Sequence, residues 1–83
     1  MNEMNLDWEE AVLHVLGDHY PNEVSLQVVY FEVSKYRKLS EWHFEDIGYG
    51  EPRYQQIVRA TLSQLAKKGM VESLRRGVYV LRE

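Results

Sequence analysis

The chain has 83 residues, 45% hydrophobic and 28% charged, with no cysteine and a formal net charge of −3. That length predicts one small domain over 1–83 with a modest core, and the lack of cysteine excludes disulfides and thiolate metal sites. No apolar run approaches the roughly 20 residues of a membrane span. The opening Met1-Asn2-Glu3 has neither a basic start nor an apolar signal core, so a cytoplasmic location without membrane association is expected.

The charge is unevenly spread. Residues 1–23 carry six acidic side chains and no Lys or Arg, residues 24–50 are nearly balanced, and residues 51–83 carry seven basic against three acidic side chains. A duplex requires local positive potential, not a positive total, so the acidic sum does not exclude nucleic acid. The alternative is that acidic residues merely suit a first helix and the polarity has no function.

In chain order, Asp7 with Glu10 reads as a capping box. Trp8, Ala11, Val12, Val15 and Leu16 then recur at helical spacing, and Gly17 with Pro21-Asn22 closes a first helix at about 8–19. Glu23, Val24 and Ser25 suit a very short strand, and Ser25 also suits an N-cap. Leu26, Val29, Tyr30, Val33 and Tyr36 predict a second helix over about 26–37. The β-branched content keeps a strand as the alternative there, but alternation by two fails at Val28-Val29 and Tyr30-Phe31.

Residues 39–51 carry the weakest pattern. Ser40 can cap a short helical turn running through Asp46, and Gly48 and Gly50 flank Tyr49 in a loop expected to be the most mobile part of the chain. Pro52 opens a third helix at about 52–68. Its apolar face holds Tyr54, Ile57, Val58, Thr61, Leu62 and Leu65; Lys67 and Lys68 suit its C-terminus and Gly69 its left-handed cap. Met70–Leu74 and Val78–Leu81 read as strands around an Arg75-Arg76-Gly77 turn. The expected fold is mainly α with a small antiparallel β-hairpin: three helices and a C-terminal wing, the winged helix-turn-helix plan, with the third helix in the position that enters a major groove.

On a wheel of 100° per residue, Gln56, Arg59, Ala60, Ser63 and Lys67 lie opposite the apolar face of the third helix. That outer face has no acidic residue. Arg forks onto guanine, Gln pairs with adenine, Ser serves either, and Ala60 permits close approach. Lys67 suits a phosphate, as do Arg53 at the helix start and Arg75 and Arg76 at the wing tip, where Arg also enters a minor groove. The plain alternative is a solvated helix face and a polar hairpin tip. Tyr36-Arg37-Lys38 offers a phosphate contact or simply a solvated helix end.

His14, His19 and His43 match no metal-ligand spacing, no nucleophile site is grouped in sequence, and no cofactor motif is present; an enzyme is not expected. Trp8, Trp42, Tyr30, Phe31, Phe44 and Tyr79 are expected in the core, because a small core needs large side chains.

Pro52-Arg53-Tyr54, Val58, Leu65, Lys67, Gly69-Met70, Arg76-Gly77-Val78-Tyr79 and Leu81, with Leu39-Ser40 before the loop, resemble the N-terminal winged-helix domain of Mrr-type methyl-directed restriction endonucleases. The resemblance covers residues 39–83, and residues 8–37 in element order alone. It implies DNA binding by this domain; the family's separate nuclease domain has no counterpart in these residues, so it implies no catalytic activity here. The chain departs from the family at Ala60, where a bulky aromatic is usual, and in its acidic first segment. The expected partner is therefore double-stranded DNA, for a small transcriptional regulator or a detached restriction-type reader. The competing reading is a winged helix that binds a protein partner or a second copy of the chain; neither needs a cofactor.

Overall fold

The computed structural model describes residues 6–48 and 50–82. The opening Met1, Asn2 and Glu3, Tyr49 between the loop glycines, and Glu83 lie outside the described residues. Helix α1 spans Trp8–His19, strand β1 Val24–Ser25, helix α2 Leu26–Glu32, helix α3 Glu41–Phe44, helix α4 Arg53–Lys67, strand β2 Val71–Arg75 and strand β3 Val78–Leu81. The chain is thus a mixture of helices with one small sheet.

Local chemistry explains most boundaries. The Asp7 carboxylate accepts the Glu10 N–H at 2.9 Å and caps α1, satisfying one of the donors a helix start leaves open. Ser25 ends β1 and caps α2, its hydroxyl accepting the Val28 N–H at 3.3 Å. Pro52 supplies the N-cap of α4 and Lys68 its C-cap, and Gly69 and Gly77 adopt φ of 80° and 74°, the left-handed region that glycine enters without strain. The Tyr20–Pro21 peptide bond is cis.

Helix α2 is shorter than the periodicity predicts. It stops at Glu32 and tightens into a 3₁₀ turn over Val33–Lys35, with the Tyr36 and Arg37 N–H groups both donating to the Val33 carbonyl. Tertiary contacts compete with helix continuation here. The Tyr36 hydroxyl donates to the Asp18 carboxylate, and Arg37 Nη1 donates to the Leu6 carbonyl at 2.9 Å.

The sheet has three antiparallel strands in the order β1-β3-β2, so the expected hairpin is extended by one strand. β3 lies in the middle, with Val24 opposite Tyr79 on one side and Val71 opposite Leu81 on the other. The register slips between Ser73 and Arg75, leaving Leu74 as the extra residue of a bulge that bends the strand just before its tip.

The core sits between α1, α2, α4 and the sheet. Ala11, Val12, Val15 and Leu16 of α1 face Val58, Leu62 and Leu65 of α4, with Val29, Tyr30, Val33, Val24 and Val71 closing the sides. Thr61 is the one buried polar side chain among the described residues, and its hydroxyl donates to the Ile57 carbonyl at 2.8 Å, so its burial leaves no open donor. The expectation that all the large aromatics fill the core is corrected in part. Tyr30 is buried and Trp8 and Tyr79 pack at its margin, but Phe31, Trp42 and Phe44 are 81%, 53% and 56% exposed. Small aliphatics from three helices already fill the space.

Candidate nucleic-acid interface

Helix α4 buries Val58, Thr61, Leu62 and Leu65. The 3.6-residue repeat therefore turns Gln56, Arg59, Ala60, Ser63 and Lys67 outward, and all five are exposed. The sequence reading groups these residues correctly on one surface. Lys67 makes no hydrogen bond or ion pair among the described residues, so its ammonium is uncommitted.

Arg59 is exposed but held. Its Nη1 donates to the Tyr30 hydroxyl at 3.0 Å and pairs closely with a Glu51 carboxylate oxygen. The hydrogen bonds to Tyr30 and then to Glu51 raise its pKa above the ordinary arginine value. Both partners engage the same nitrogen, leaving Nη2 free of hydrogen bonds among the described residues. A guanidinium oriented this way from one corner can still present its other edge to an acceptor.

Arg53 is placed differently from the outer-face residues. Its guanidinium lies over the Trp42 ring at 4.2 Å and donates to the Trp42 carbonyl and the Glu45 carboxylate, both at 3.0 Å. It ties α3 to the start of α4. The β2-β3 turn is split as well: Arg75 Nη2 pairs with Glu23 at 2.6 Å, whereas exposed Arg76 has no hydrogen bond or ion pair among the described residues.

These pairings reduce the charge asymmetry seen along the chain. Lys68 Nζ contacts both Glu9 carboxylate oxygens, at 2.8 and 2.9 Å, and Arg75 takes Glu23. The acidic first segment thus folds back onto the basic last one. In the Tyr36-Arg37-Lys38 cluster, Arg37 is drawn inward over Trp8 with its charge stacked at 4.7 Å. The Asp18 hydrogen bond, with burial and the Asp18 and Glu32 charges behind it, raises the Tyr36 pKa.

The three histidines serve separate contacts. His14 stacks on Tyr36, His19 Nε2 meets Glu32 at 2.9 Å, and His43 Nδ1 accepts the Ser40 N–H at 3.0 Å. Burial, with the charges of Arg37 and Arg53, lowers the His43 pKa.

Sequence reasoning missed Tyr30, Glu51 and Glu23 as residues that control the candidate arginines. No periodic signal marks them. Tyr30 lies 29 residues from Arg59 and Glu23 lies 52 from Arg75, and such contacts exist only after folding. Compared with protein-family models, curated proteins and solved structures, the chain matches none.

Proposed function

We propose that this chain is a winged helix-turn-helix domain that binds double-stranded DNA, as a small transcriptional regulator or a detached restriction-type reader. The observation that carries the reading is the outer face of α4, on which Gln56, Arg59, Ala60, Ser63 and Lys67 are exposed together without an acidic residue among them. The β1-β3-β2 sheet with its β2-β3 hairpin directly after α4 supports it, because in winged helices helix and wing address one duplex. In this reading α4 lies in the major groove, Arg59 and Gln56 read base edges, and Lys67 and Arg76 engage phosphates. Arg53 acts indirectly, by fixing α3 against the start of α4.

The test is anisotropy of a labelled mixed-sequence duplex titrated at several salt concentrations. Affinity is expected to fall steeply as salt rises, and Lys67→Ala is expected to reduce the log–log slope by about one unit. Arg59→Ala is expected to cost about 1–3 kcal/mol and to relax sequence preference. Absence of salt-sensitive binding, with methylated and unmethylated duplex alike, removes the DNA assignment.

A second reading has its own observation. Exposed Trp42 and Phe44 stand beside exposed Glu41 and Glu45, a combination that suits a protein partner with basic and apolar groups better than a phosphate backbone. It predicts no duplex binding at low salt, and a partner lost with Trp42→Ala.

A further inference from the structure

A groove of about 550 Å³ runs between the outer side of α1 and the end of β3. Leu13, His14, Gly17 and Asp18 form one wall; Gly69, Met70, Leu81 and Arg82 form the other. It shares no residue with the outer face of α4 or the wing tip.

Gly17 is the first unusual feature of this groove. It lies inside α1, where glycine is less favourable than alanine. Neither crowding nor backbone conformation within the chain requires it: an added Cβ would meet only Leu81 Cδ2, at 4.0 Å, an ordinary contact, and its φ is not positive. What the missing side chain does is open a hollow in the surface of α1. Across the groove Met70 stands 41% exposed, an unbranched side chain that fills irregular gaps well. The two rims also differ in charge, with Asp18 on the α1 side and exposed Arg82 on the β3 side. Arg82 makes no side-chain hydrogen bond or ion pair among the described residues, and Asp18 engages only the Tyr36 hydroxyl, through Oδ2.

A hollow and a knob, an acid and a base, each pair divided across one groove, make a surface complementary to its own copy turned by a two-fold axis. We propose that the occupant of this groove is a second copy of the chain. In the dimer Met70 of each copy seats over Gly17 of the other, and Asp18 of each meets Arg82 of the other. A domain this small, with a limited core of its own, gains from the added burial.

The experiment is light scattering of the full chain from micromolar to millimolar concentration, with folding of each variant followed by circular dichroism. The wild-type chain is expected to pass from 9.9 kDa to twice that mass. Asp18→Arg alone and Arg82→Asp alone are each expected to stay monomeric, since like charges then meet twice. Mixed in equal amounts they are expected to form a heterodimer, because both contacts are again between opposite charges. Should loss of the Tyr36 contact unfold Asp18→Arg, Gly17→Gln takes its place: it fills the hollow and is expected to be monomeric and folded. A wild-type chain monomeric at every concentration overturns the proposal. So does a dimer that survives Arg82→Asp and Gly17→Gln, or a mixture of two folded charge variants that fails to pair. None of these readouts involves DNA, so the dimer and the DNA reading stand or fall separately.

Discussion

At the scale of single residues, burial and hydrogen bonding decide what each side chain can do. Leu65 is fully buried between α4 and α1, and Leu65→Ala is expected to cost about 2–5 kcal/mol in chemical denaturation. That is a large share of the stability of a small domain; a loss below about 0.5 kcal/mol contradicts the burial. The ring of His43 must stay neutral to accept the Ser40 N–H at Nδ1, and its pKa is lowered from 6.5 chiefly by burial. The unfolded chain therefore takes up a proton at higher pH than the folded one. This contribution to stability is present above pH 6.5 and is lost as pH falls toward the lower folded value. Thermal unfolding is expected to show a smaller drop between neutral and mildly acidic pH for His43→Gln than for the wild type, and equal drops contradict the assignment. The outward placement of Arg59 was legible from periodicity. Its tethering by Tyr30 and Glu51 was not, because side chains from separate elements meet only in the folded chain.

At the scale of elements, α1 and α4 were legible nearly to the residue. Both combine an apolar stripe at helical spacing with a recognisable cap, so local and tertiary preferences agree. The end of α2 was not legible: Val33 continues the helical pattern, and it is the reach of Tyr36 to Asp18 and of Arg37 to Leu6 that breaks it. The hairpin is legible from its two apolar strands around the Arg75-Arg76-Gly77 turn, whereas the bulge at Leu74, which lies beside paired Arg75, has no sequence signal. This pairing has a measurable consequence for the β2-β3 turn on the proposed DNA-binding reading. With Arg75 held by Glu23 and Arg76 unpaired, Arg76→Ala is expected to weaken duplex binding more than Arg75→Ala. Glu23→Gln is expected to strengthen it by freeing Arg75 for phosphate. The reverse order in salt-titrated anisotropy contradicts this division of the turn.

At the scale of the whole molecule, the acidic and basic halves of the sequence do not become acidic and basic halves of the fold. Glu9 and Glu23 sit against Lys68 and Arg75, exposed pairs that are each worth about 0–1 kcal/mol in stability but that lower the local positive potential. On the proposed reading, the surface left for a duplex is consequently narrow: the outer face of α4 with Lys67, one edge of Arg59, and Arg76 at the turn. Against the start of α4, beside Arg53 and Tyr54, stand exposed Trp42 and Phe44 with their acidic neighbours, aromatics whose size alone suggests a core position. The measurement that separates these two surfaces most directly is a set of backbone amide spectra recorded as duplex DNA is added at low salt. The account predicts salt-reversible shifts at Gln56, Arg59, Ala60, Ser63, Lys67 and Arg76, with Glu9 and Glu10 of α1 unmoved. Shifts confined to Trp42, Phe44 and their neighbours, or none at all, contradict it.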